Sequence, residues 1–166
     1  MKLLKWLLVV LGLTVIAVLA LLTASNVQAQ EGLVGDWVLD AAASKSPVPQ
    51  LAATAGVLTI AAAGDGKFKS TSEVTVGGVT GHSEITYSVD GKDYAVTTTP
   101  AAPGAAITQS MELVSDTVWT SNLKVNGQLM ATVKTEVSSD GNTLTQMTTG
   151  LGQFAALSGT VVFKRK

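Results

Sequence analysis

Apolar and polar residues alternate in short runs along most of the chain beyond residue 35. Lys67–Val76 places Phe68, Val74 and Val76 on one side with Ser70 and Ser72, and Lys67, Lys69, Thr71, Glu73 and Thr75 on the other. Ser83–Val89 separates Ile85, Tyr87 and Val89 from Glu84, Thr86 and Ser88. Thr117–Val125 groups Trp119, Leu123 and Val125, and Gln128–Ser138 groups Leu129, Ala131, Val133 and Val137 against Lys134 and Glu136. Gly159–Arg165 sets Val161 and Phe163 against Thr160 and Lys164. A period of two with many β-branched residues is the pattern of half-buried strands, and helical spacing fits these runs poorly.

The joints are as legible as the strands. Asn126-Gly127 lies between two alternating runs, a strong hairpin signal because a type I′ turn needs positive φ at both central residues. Asp90-Gly91 and Asp140-Gly141 do the same, and Gly64-Asp65-Gly66 and Gly77-Gly78 mark further turns. Evenly spaced strands with short turns predict an all-β, up-and-down antiparallel β-barrel of eight to ten strands. Closure would pair the last strand, near Phe163, with the first, near Trp37, and remove the exposed edges that invite aggregation. Two long connections interrupt the rhythm, Ala41–Gly56 and Thr99–Ala106. Leu51–Ala55 and Gly150–Ser158 each have room for a short helical turn. Loops of this size at a barrel rim are either ordinary connectors or the place of a ligand gate.

The first 29 residues follow another logic. Lys2 and Lys5 precede an uncharged run from Trp6 to Leu22, and Val27-Gln28-Ala29 satisfies the small-x-small rule for signal peptidase. This is a secretory signal peptide, expected to form a hydrophobic helix, with cleavage after Ala29. The run also just reaches a minimal membrane span, so the alternative is an uncleaved anchor over 1–29. Either version places the barrel domain, 30–166, outside the cytoplasm: secreted or periplasmic, or held on the outer side of the inner membrane. With no cysteine, the barrel has no disulfide and no lipid-modified cysteine. Setting Lys2 and Lys5 aside leaves nine basic residues against twelve acidic, scattered along the chain. No basic stripe suits nucleic acid, and no polybasic patch suits an anionic membrane, so membrane contact is expected only through 1–29 if uncleaved. Roughly 135 residues form one domain with a real core, expected to be a monomer.

Three segments carry a family likeness. Gly35-Asp36-Trp37-Val38-Leu39-Asp40 leads into Ser44-Lys45-Ser46-Pro47, Tyr87-Ser88-Val89-Asp90-Gly91-Lys92-Asp93-Tyr94 follows, and Ser138-Ser139-Asp140-Gly141-Asn142-Thr143-Leu144-Thr145 comes near the end. In this order and spacing they resemble the small secreted bacterial lipocalin-like proteins of the calycin superfamily, from about Gly32 to Lys166. The chain departs from their pattern at Ala95, where proline is usual, and at Phe163-Lys164-Arg165, where Tyr-Glu-Lys is typical. The resemblance implies a lipocalin- or fatty-acid-binding-protein-like barrel whose Gly-x-Trp tryptophan, here Trp37, closes one end under a basic side chain from the last strand. Arg165 shares the alternation phase of Val161 and Phe163, so it is placed to stack on Trp37 as a cation–π pair. The alternative is a solvated C-terminal charge.

Catalytic patterns are weak. His82 is the only histidine and lies on a polar phase with Glu84, which points to the surface rather than to a triad. One histidine and no cysteine make a zinc site improbable. Glu73, Glu84, Glu112 and Glu136 fall on outward phases and form no facing carboxylate pair. No cofactor and no metal are expected. The inward phases instead mix Leu58, Ile60, Val96, Ile107, Leu123, Leu129 and Val133 with Ser72, Gln109 and Thr135. Apolar walls with a few polar groups describe a ligand pocket, and equally a core whose hydroxyls pair with one another. The expected pocket lining is Phe68, Ser70, Tyr87, Tyr94, Met111, Trp119 and Ser121. The reading is a non-enzymatic exported binder of a small, lipophilic ligand; its alternative is a structural or interaction barrel of the cell envelope with a filled core.

Overall fold

The computed structural model describes residues 32–101 and 104–166; the signal or anchor segment, 1–29, lies outside the described residues. Ten strands follow in chain order: β1 (Gly35–Leu39), β2 (Ala53–Ala62), β3 (Phe68–Val76), β4 (Val79–Tyr87), β5 (Tyr94–Thr99), β6 (Ile107–Ser115), β7 (Val118–Val125), β8 (Gln128–Val137), β9 (Thr143–Gly150) and β10 (Gly159–Arg165). Each pairs antiparallel with its neighbours in sequence, and β1 pairs with β10 to close the ring. The closing register sets Trp37 opposite Arg165 and Leu39 opposite Phe163. The sequence thus encodes an up-and-down barrel, and ten strands close it. The narrowest seam is β5–β6, where only Tyr94↔Gln109 and Ala95↔Thr108 are paired.

The meander gives the barrel two unlike ends. One carries the short β2–β3, β4–β5, β6–β7 and β8–β9 connections together with residues 32–34. The other carries the three longest connections, β1–β2, β5–β6 and β9–β10, together with the tight β3–β4 and β7–β8 turns. There the β1–β2 loop holds a 3₁₀ turn at Pro49–Leu51 and the β9–β10 loop a longer one at Gly152–Leu157. The β7–β8 hairpin turns with Asn126 at φ 50° and Gly127 at φ 77°, both left-handed, as the primed turn demands. Asn126 also accepts a 2.8 Å hydrogen bond through Oδ1 from the Ala106 amide, which fixes the β5–β6 loop beside this hairpin.

One inward assignment is corrected by a bulge. Between β7 and β8 the register runs from Leu123↔Ala131 to Lys124↔Leu129. The extra residue in β8, Met130, reverses the phase beyond it, so Leu129 faces outward and is exposed. Strand alternation predicts the face only as long as the register is unbroken.

Candidate functional site

The Trp37 end is built first, because it forms the floor of everything above it. Trp37 is fully buried, and its indole Nε1–H donates to the Leu33 carbonyl at 3.0 Å. Leu33 belongs to no strand, yet it is almost completely buried: residues 32–34 lie across the barrel end and Leu33 points in. The Arg165 guanidinium sits 4.2 Å from the Trp37 ring centroid. It donates to the carbonyls of Gly141 (2.7 Å), Val34 (2.8 Å) and Gly32 (2.9 Å). A cation held by three carbonyls and a ring face is well satisfied without a carboxylate. Gly35, at φ 148°, is what lets it lie there, since a Cβ at this position would overlap the guanidinium. Around this clasp Phe163, Leu144, Val137, Trp119, Phe68, Ile60 and Leu58 pack into the apolar core.

Above the core lies an interior cavity of about 230 Å³. Part of its apolar lining is Leu33, Leu58, Ile60, Ile85 and Phe163. Its walls are Ser70, Ser72 and Val74 from β3, Ser83 and Tyr87 from β4, Val96 from β5, Gln109, Ser110 and Met111 from β6, Val133 and Thr135 from β8, and Gln146 and Thr148 from β9. No charged side chain is among these described residues. A second crevice of about 180 Å³, between the β1–β2 loop and the Gly152–Leu157 turn, shares Val74 and Thr148 with the cavity. Val74 and Thr148 thus stand between the cavity and the end that carries the long loops.

Of the seven residues expected to line a pocket, Ser70, Tyr87 and Met111 do so. The other four lie outside this lining. Phe68 is buried below, its ring 6.0 Å from that of Tyr87. Trp119 is fully buried in the apolar core, and its Nε1–H has no partner among the described residues. Ser121 is buried behind Gln109, whose Nε2 donates to its hydroxyl at 3.1 Å. Tyr94 is half-buried at the β4–β5 loop, where its hydroxyl donates to the Asp90 carboxylate at 3.1 Å. All four point inward; the first two and Ser121 miss the space because larger or longer neighbours fill the room in front of them, and Tyr94 because it sits at the barrel end. Conversely, Ser83, Ser110, Gln146 and Thr148 line the cavity without having been picked out. Alternation carries a signal for Ser83, Gln146 and Thr148, which share phase with Ile85 and Leu144. Ser110 is on the outward phase and nothing in the pattern marks it.

The electrostatics follow burial. Burial pushes the Tyr87 phenol up to about 12, and its hydroxyl makes no hydrogen bond to a described residue. At the surface, the hydrogen bond from Lys92 holds the Asp90 carboxyl below its ordinary range, and that from Ser138 does the same for Asp140. These are turn-stabilising carboxylates. His82 lies on the outer face, half-exposed, with Nδ1 3.3 Å from Glu73, in a shallow depression with Glu84 and Thr97. No group of His, Cys, Asp and Glu side chains among the described residues is arranged to hold a metal ion.

No family model matches the chain and no curated protein matches it in sequence. Solved structures do match in fold. Fatty-acid-binding protein 1 of Echinococcus granulosus superposes with a TM-score of 0.57 at 14% identity, over 81% of this chain and 98% of its own. A single-site mutant of the fluorescent protein UnaG gives 0.57 at 15% identity, over 82% and 97%. Wild-type UnaG gives 0.54 at 15%, over 82% and 98%. The chain thus has a ten-stranded barrel fold like that of a fatty-acid-binding protein.

Proposed function

We propose that this chain is an exported, non-enzymatic binding protein that holds a small, lipophilic ligand inside its barrel. One observation carries the reading: the interior is not filled, and the unfilled part is enclosed by both apolar and polar side chains, the usual make-up of a small-molecule site. The fold shared with a protein named for fatty-acid binding supports it in general terms. Export rests on the pattern of residues 1–29. The role as a bacterial lipocalin-like protein rests on the three segments around Trp37, Asp90 and Asp140.

Native mass spectrometry of the exported chain after gentle extraction tests the proposal. The expected spectrum contains a small non-covalent adduct that leaves on collisional activation. Repeated clean apo spectra would favour a barrel acting through its outer surface in the cell envelope. The intact mass from the same experiment distinguishes cleavage after Ala29 from a retained anchor.

A further inference from the structure

The cavity's polar groups are not spread evenly. Ser72 and Ser83 hydroxyls pair with each other at 2.8 Å, and Gln109 is engaged with Ser121. That leaves Ser70 and Tyr87 on β3 and β4, Thr135, Gln146 and Thr148 on β8 and β9, and Ser110 on the outward phase of β6, none of which makes a side-chain hydrogen bond to a described residue. In a ring of ten strands, β3–β4 and β8–β9 lie five places apart. Ser110 apart, the unpaired groups therefore form two clusters on opposite walls. Thr135 and Tyr87 are almost fully buried as residues, but their hydroxyls are not sealed off, since the one enclosed side-chain polar atom without a partner among the described residues is Trp119 Nε1; they open onto the cavity, where a ligand or water can satisfy them.

No cation accompanies them. Arg165 is committed to three carbonyls and the Trp37 ring and is not part of the lining. Desolvating an ionised carboxylate without a cationic partner is far more costly than desolvating a hydroxyl or amide that finds hydrogen bonds. A hydroxyl or amide can both donate and accept, as the unpaired hydroxyls and the Gln146 amide require. The cavity, near 230 Å³, has room for on the order of ten non-hydrogen atoms, judged from the roughly 30 Å³ that one water occupies.

We infer that the barrel selects an electrically neutral ligand bearing hydroxyl or amide groups at both ends, which bridges the β3–β4 and β8–β9 walls, in preference to a carboxylate. This rests on the proposed binding function and narrows its ligand class. The test is a matched pair of probes of equal size, 1,8-octanediol and octanoate, titrated separately at neutral pH into the mature barrel and followed by amide NMR shifts. The diol is expected to bind at least about tenfold more tightly than octanoate. Thr135→Val is expected to weaken the diol about fivefold, as for one lost neutral hydrogen bond, and to leave octanoate unchanged. Gln146→Arg, which supplies the missing cation, is expected to reverse the order of the two. Octanoate binding as tightly as the diol, or tighter, overturns the inference and leaves the binding function standing. Neither probe binding at millimolar concentration removes both.

Discussion

Toward the Trp37 end, the inward positions of the strands are Trp37, Phe68, Tyr87, Trp119, Val137, Leu144 and Phe163. One and two steps further along the same strands they are Leu39, Ser70 and Ser72, Ile85 and Ser83, Ser121 and Leu123, Thr135 and Val133, Gln146 and Thr148, and Val161. The alternation is the same in both halves; the size and polarity of the inward residue are not. Large rings meet on the barrel axis and exclude water, so the first half is a core with a tied-down plug. The inward residues there are more often small and polar, with no ring among them, and they leave a chamber. One backbone plan thus carries a packed half and a hollow half. The division falls near Tyr87, which packs on Phe68 below and lines the space above.

The sharpest way to break this division is to remove the plug's partner. Trp37→Ala is expected to cost about 3–5 kcal/mol, as for other buried large aromatics, read by urea unfolding. A loss below about 1 kcal/mol would mean that the packed half does not carry the stability. Next comes Tyr87. Its phenol stays neutral in the folded chain up to about 12, whereas an unfolded tyrosine ionises near 10. Between these values the unfolded state has lost a proton that the folded state keeps, so stability is full below pH 10 and falls as pH rises toward 12, by about 2–3 kcal/mol. Denaturant unfolding across that range, with Tyr87→Phe as the control that abolishes this contribution, checks it. At the loop end, replacing Asn126-Gly127 with Ala-Ala is expected to cost about 1–2 kcal/mol, because alanine disfavours both positive φ values. The smallest effect belongs to the chamber wall. Thr135→Val exchanges a hydroxyl with no described partner for a methyl group of the same shape, so thermal unfolding should shift by less than about 0.5 kcal/mol or in the stabilising direction. A large loss there would show that the polar walls also hold the fold together.

The barrel was readable because its signals are local and repeated. Period-two runs and Asn-Gly or Asp-Gly turns dictate neighbour pairing, and neighbour pairing closed by β1 and β10 is the whole topology. The site was less readable, because lining a cavity depends on what stands in front of a side chain. Trp119 and Ser121 point inward as their phase requires, but the core and Gln109 cover them. Leu33 carries no pattern at all, since its burial comes from the clasp of Arg165 on the flanking carbonyls. Leu129 shows the limit from the other side: one bulge residue, Met130, turned an inward leucine out. Gln146 and Thr148 were on an inward phase in plain view, but a Thr-rich strand offers too little contrast between its faces to single them out.

The division into a packed half and a chamber is tested most directly by mapping where a neutral probe acts. In amide NMR titration with 1,8-octanediol, the account predicts saturable shifts at Ser70, Thr135, Gln146 and Thr148, with Trp37 and Leu144 unmoved. Shifts confined to the outer face around Glu73 and His82, or none that saturate, would contradict it.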